Sequence, residues 1–119
     1  MKRKIEISVG NVAGALDRFE QVWRRGVARG KGVPELTLTF ASLPVLLKNL
    51  TPARWTLIEH LKRSGPLSIN ELARRLGRHY KNVHTDVTRL IEIGLVERGD
   101  DQRVTVTWDI VTAQMQLAA

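Results

Sequence analysis

SINELARRLGRHYKNVHTDVTRLIEIGLVER, residues 68–98, is punctuated at regular points. Ser68 followed three residues later by Glu71 has the form of a capping box. In that device the serine hydroxyl accepts from the amide at the third helical position, and the glutamate returns to the serine amide. Ile69, Leu72, Ala73 and Leu76 then recur at helical spacing and form one apolar stripe. Gly77 is placed to end this helix and to make a tight turn. A longer helix is predicted from about residue 79 to 93, with Tyr80, Val83, Val87, Leu90 and Ile91 on its buried side. Gly94 stops it in the left-handed conformation that glycine adopts cheaply. Leu95, Val96, Glu97 and Arg98 read as a strand.

The flanks extend the pattern. Upstream, Thr51 and Pro52 supply a capping residue and a proline at the first helical position. Trp55, Leu57, Ile58 and Leu61 make the buried face of that helix, and Gly65-Pro66 ends it. Downstream, Gly99-Asp100-Asp101-Gln102 is a turn, and Val104-Thr105-Val106-Thr107-Trp108 is a second strand. Val104, Val106, Trp108 and Ile110 alternate inward. Capped helix, second capped helix, glycine turn, polar-faced helix, glycine stop and hairpin follow in the order of a winged helix-turn-helix. That module lays its last helix in the major groove of DNA.

The N-terminal part has a different rhythm. Ile5, Ile7 and Val9 alternate with Glu6, Ser8 and Gly10, the period of a half-buried strand. Val12, Leu16, Phe19, Trp23 and Val27 follow at helical spacing, until Gly30, Gly32 and Pro34 break the helix. Leu36, Leu38 and Phe40 alternate with Thr37 and Thr39. These predict a β-α-β arm, joined to the rest by a short helix containing Val45, Leu46, Leu47 and Leu50. An isolated strand pair is marginal in water, so the arm must pack on the rest of the chain or on a second copy, and the second copy is the favoured reading. The expected fold is therefore α+β: arm and linker helix over residues 1–50, a winged helix-turn-helix over 51–111, and a loose tail or short helix over 112–119.

Charge points to the partner. The chain has 119 residues and a formal net charge of +7. Residues 62–89 hold seven cations against Glu71 and Asp86, so much of the excess lies on the helices just described. A basic surface of this kind favours a polyanion. There is no cysteine, which closes disulfide, thiol and cysteine–metal chemistry. No apolar run approaches membrane-spanning length, and the basic start lacks the apolar core of a signal peptide, so a cytoplasmic protein is expected. His60, His79 and His84 are the only histidines, and they form no recognisable catalytic or metal motif. No enzyme activity, metal or cofactor is expected.

With Val83 as the centre of the buried face, a step of about 100° per residue points Thr85 outward. Lys81, Asn82, Thr88 and Arg89 flank it, and His84 sits at the border. Lysine and arginine pair with guanine, asparagine with adenine, and threonine offers a hydroxyl and a methyl. Lys81, Asn82, Thr85, Thr88 and Arg89 are the candidate base readers. Arg74, Arg75, Arg78, His79, His84, Arg98 and Arg103 are the candidate phosphate contacts, which position without reading sequence. Asp100 and Asp101 at the hairpin tip oppose phosphate. Arg89, three residues on, is the cation whose helical spacing lets it meet Asp86.

The segment ELARRLGRHYKNVHTDVTRLIEIGLVER resembles the winged helix-turn-helix of MarR-like and ArsR-like prokaryotic transcriptional regulators. Within that group it is similar to small predicted regulators of bacteria and archaea. In those an LTPxRxxLI-like helix precedes an ELARRLGR-like helix and a KNVHxDVxxL-like recognition helix. Thr51-Pro52-Ala53-Arg54 and Lys81-Asn82-Val83-His84-Thr85-Asp86-Val87 carry the match, which covers about residues 50–110. The resemblance implies a homodimeric, double-stranded-DNA-binding regulator, a repressor in the first reading. Antitoxin-like members imply an alternative, in which the chain binds a toxin protein and represses its own operon. A winged-helix module that docks a protein is the remaining reading. The long terminal helices through which MarR proteins dimerise are absent from this sequence, so a dimer is expected to use the arm.

Overall fold

The computed structural model describes residues 2–10, 36–115 and 117. The protein is α+β. Strands β1 (Lys4–Val9) and β2 (Leu36–Phe40) precede helices α1 (Leu43–Asn49), α2 (Pro52–Ser64), α3 (Ile69–Leu76) and α4 (Tyr80–Ile93). Strands β3 (Glu97–Arg98), β4 (Val104–Thr105) and β5 (Ile110–Met115) follow. The chain divides into two compact units, one of residues 1–48 with 108–119, the other of residues 49–107.

In the first unit, β1 lies between β2 and β5 and pairs parallel with both. Parallel neighbours need long crossovers, and the chain between β1 and β2 and between β2 and β5 supplies them. Register puts Ile5, Ile7 and Val9 beside Leu36, Leu38 and Phe40 on one side and beside Val111, Ala113 and Met115 on the other. One sheet face is therefore apolar. Glu6 and Ser8 share the opposite face with Thr37, Thr39, Thr112 and Gln114, and the Ser8 and Thr39 hydroxyls are bonded at 3.3 Å. Arg3 ties the start of β1 to the start of β5. Its amide donates to Asp109 Oδ2 at 2.8 Å, its carbonyl accepts from the Ile110 amide at 3.1 Å, and its guanidinium lies 4.4 Å from the Trp108 ring centroid.

This unit corrects the expected tail. Residues Thr112 to Met115 are not loose or helical; they belong to β5. Val111, Ala113 and Met115 continue the two-residue alternation of Ile5, Ile7 and Val9, but their own run is too mildly apolar to announce a strand. Ile110, expected inside, is 40% exposed. It falls on the polar face, opposite Lys4, because the strand starts there in register with β1. The helix expected over residues 12–27 lies outside the described residues.

In the second unit, capping sets the helices. Thr51 Oγ1 accepts from the Arg54 amide at 3.3 Å, and Ser68 Oγ accepts from the Glu71 amide at 3.1 Å. Gly65 (φ 81°), Gly77 (φ 64°) and Gly94 (φ 99°) end α2, α3 and α4. Leu57 and Leu61 of α2, Leu72 of α3, Val83, Val87 and Leu90 of α4, and Leu95, Val96 and Val104 are all fully buried. Each such side chain contributes about 1.5–3 kcal/mol by leaving water. The hairpin is shorter than expected. Only Glu97 and Arg98 pair with Thr105 and Val104, while the Leu95 and Val96 amides return to the Leu90 carbonyl and close the end of α4. Leu67 pairs with Val104 in both directions, at 3.1 and 2.8 Å, so the segment before α3 is stitched to β4.

Candidate nucleic-acid interface

The apolar stripe of α4 fixes what the helix offers to solvent. Val83, Val87 and Leu90 are fully buried. Lys81, Asn82, His84, Thr85 and Arg89 are exposed, and Thr88 is half-buried. The five candidate base readers therefore share the outward side. Their freedom differs. Lys81 and Asn82 have no side-chain partner among the described residues. The Thr85 hydroxyl donates to the Lys81 carbonyl at 3.0 Å, which leaves its oxygen as an acceptor. Arg89 is engaged: its Nε donates to Asn49 Oδ1 at 2.7 Å and its NH1 to Glu92 Oε2 at 2.9 Å.

His79 precedes the first turn and caps it. Its Nδ1 accepts from the Lys81 amide at 3.2 Å, so the ring sits at the end of α4 that holds Lys81 and Asn82. Tyr80 was expected on the buried side, but it is 48% exposed. As the first helical residue it precedes the turn that packs, and its ring lies 5.8 Å from that of His84. Tyr80 and His84 line a cavity of about 310 Å³ with Ser68, Ile69 and Asn70 at the start of α3, and with Arg98 and Gln102 of the hairpin. Two candidate phosphate residues, His84 and Arg98, thus meet at one cleft with the N-terminus of α3. Such an end presents amides to an anion. The sequence pattern gave no sign of Ser68, Asn70, Tyr80 or Gln102 there, because a cleft between three elements has no local signature.

Arg74, Arg75, Arg78 and Arg103 are held by acids. Glu71 was expected to return to the Ser68 amide. Its carboxylate is instead gripped by Arg74, with bonds of 2.6, 2.7 and 3.0 Å, and by Arg75 at 3.0 Å. Guanidinium forks bind a carboxylate more strongly than a neutral amide does, so they win the glutamate. These hydrogen bonds, from Arg74 first and Arg75 second, pull the Glu71 pKa from 4.5 down to about 2 and raise that of Arg74. Arg103 at the hairpin tip is 3.6 Å from Asp101, while Arg98 stays exposed.

Asp86 corrects a second expectation. Arg89 does not meet it. Arg54 Nε donates to Asp86 Oδ1 at 3.0 Å and Arg78 NH2 to Oδ2 at 2.7 Å, with the three side chains only 14–30% exposed. Arg54 also donates to the Asn49 carbonyl at 2.7 Å. One carboxylate on α4 thereby joins the start of α2 to the turn after α3. Arg78, a candidate phosphate contact, has one guanidinium nitrogen committed to this clamp. The partners lie 32 and 8 residues from Asp86, beyond the reach of helical spacing.

Among the described residues no cluster of metal-ligating side chains is present, and no helix is long and apolar enough to cross a membrane. Comparison with curated proteins and with solved structures gives no significant match. The model of one protein family, HVO_A0114, matches residues 49–113, which takes in the whole second unit and the beginning of β5. That span is more than half of the chain, and the protein belongs to the HVO_A0114 family.

Proposed function

We propose that this protein is a sequence-specific, double-stranded-DNA-binding transcriptional regulator, a homodimer of winged helix-turn-helix units that inserts α4 into the major groove. One observation carries the reading. The first turns of α4 hold Lys81 and Asn82 outward and, among the described residues, without side-chain partners, beside Thr85, while the opposite side of the same helix is packed and clamped. Asparagine and lysine left without partners on a basic surface are suited to base edges, which supply the missing hydrogen bonds. The element order α2, α3, α4 and hairpin agrees with the MarR-like and ArsR-like resemblance in residues 50–110.

In this reading Lys81, Asn82 and Thr85 read bases, and Thr88 and Arg89 lie further along the groove. Arg74 and Arg75 leave Glu71 for a backbone phosphate, and His84 and Arg98 hold another at the cleft beside α3. His79 acts as a cap that orients the reading turn, and Arg78 as part of the clamp that sets the helix. Repression follows from occupancy of an operator by a dimer.

The test is selection of bound fragments from a pool of random duplexes, using the full chain. The expected product is a short two-fold-symmetric consensus. Asn82→Ala should then lose about 1–3 kcal/mol on the consensus and little on random duplex. Arg75→Ala should weaken both alike. Recovery of no consensus at low salt would overturn the proposal.

A further inference from the structure

The edge of a parallel sheet carries unpaired amides and carbonyls, and proteins commonly guard it with lysine, proline or a bulge. Among the described residues β5 is such an edge, since β1 lies between it and β2. All six of its residues are exposed. Residues 110–117, IVTAQMQL, contain no charge, no proline and no glycine, in a chain that is 26% charged. Exposed apolar groups concentrate in the same unit. Of the nine large hydrophobic residues exposed among the described residues, eight belong to the first unit, and Ile110, Val111, Met115 and Leu117 are four of them.

The backbone geometry of β5 selects a partner. The Ile110 amide donates to the Arg3 carbonyl, so Ile110 turns its backbone groups toward β1. By strand alternation Thr112 and Gln114 do the same, and Val111, Ala113 and Met115 turn theirs outward. We infer that this edge pairs antiparallel with the β5 edge of a second copy, about a two-fold axis at Ala113. In that register Val111 faces the second copy's Met115, Ala113 faces its equivalent, and Thr112 faces Gln114. Each of the three outward-facing pairs then exchanges two hydrogen bonds. Apolar side chains meet apolar ones, so the apolar sheet face runs unbroken across the axis. A shift of one residue would set Val111 and Met115 against polar side chains and invert the faces. The chain is formally +7, so two copies repel over most of their surface. This uncharged strip is where they approach without placing like charges opposite each other.

The inference gives the dimer of the proposed regulator its interface, but it is measured without DNA. A dimer indifferent to DNA would keep the edge and defeat the regulator reading, whereas a DNA-binding monomer would do the reverse. Light scattering of the full chain at micromolar concentration should give twice the monomer mass. Ala113→Pro removes an amide that no bond between described strands uses, and proline is tolerated on an edge strand. It should leave the far-ultraviolet circular dichroism unchanged and weaken self-association at least tenfold. Because the chain has no cysteine, Ala113→Cys provides a second reading. Opposed residues in such a pair lie about 5.5 Å apart, within disulfide range. Ala113→Cys should oxidise to a covalent dimer, and a mixture of Thr112→Cys with Gln114→Cys should cross-link with each other. A monomeric wild type, a folded Ala113→Pro variant that still dimerises, or Ala113→Cys oxidising no faster than Lys62→Cys would overturn the pairing.

Discussion

Two carboxylates on neighbouring helices do opposite jobs at the residue scale. Asp86 is enclosed by Arg54 and Arg78, with 14–30% of each side chain reaching water. Asp86→Ala leaves two guanidinium groups facing an empty site. Breaking a fully buried pair costs about 3–5 kcal/mol, and partial exposure reduces this to about 2–3 kcal/mol here. Urea unfolding at fixed salt measures it, and a loss below about 0.5 kcal/mol would show that the clamp is ornamental. Glu71 is more open, and its pairing is a matter of pH. With its pKa lowered from 4.5 to about 2, its favourable contribution is fully present above pH 4.5 and disappears as pH falls through about 2. A carbon NMR titration should show that low midpoint, rising in Arg74→Ala and Arg75→Ala. Addition of bound DNA should raise it as well, because phosphate competes for the same arginines. A midpoint near 4.5 in free wild type would mean that the forks do not persist in solution.

At the scale of elements, α3 and α4 are joined by a turn that depends on one residue. Gly77 has φ 64°, and a Cβ built there meets nothing within 4 Å. Gly77→Ala therefore carries a conformational cost without a steric one, about 1–2 kcal/mol. Thermal unfolding should register that loss, and affinity for DNA, corrected for the unfolded fraction, should barely change. A larger defect in binding than in stability would mean that the turn itself touches the duplex. Ser68 also works at this scale. Its hydroxyl holds the Glu71 amide, so Ser68→Ala should cost about 1 kcal/mol of stability. Ser68 also lines the cleft with His84 and Arg98, so if that cleft holds a phosphate as proposed, loosening the start of α3 should weaken the contact there.

For the whole molecule, the proposed association with DNA would be governed by counterions. If Arg74 with Arg75 neutralises one phosphate and Arg98 with His84 another in each protomer, log K should fall against log salt with a slope of about −4. Fluorescence anisotropy over a salt series tests this. A flat response would assign the exposed face of α4 to a protein partner. A dimer also has to place its two α4 helices about 34 Å apart, one turn of duplex, so half-sites recovered by selection should repeat at about 10 base pairs or a multiple of it.

Local chemistry was legible from the residues alone. Thr51, Ser68, Gly65, Gly77 and Gly94 mark helix ends because caps and left-handed stops depend on one side chain and its nearest amides. The outward placement of Lys81, Asn82 and Thr85 followed from helical period, since Val83 and Val87 can bury only one side. What stayed hidden depends on residues distant in sequence. Tyr80 surfaces because it precedes the packed turn, and Glu71 abandons its amide because two arginines outbid it. Asp86 takes Arg54 and Arg78 across the gaps between helices. Residues Val111 to Met115 become a strand only because β1 lies alongside to receive their hydrogen bonds. Periodicity reports which side of an element is apolar, whereas pairing and ion clamps are settled by what folding brings within about 3 Å, a distance no local pattern encodes.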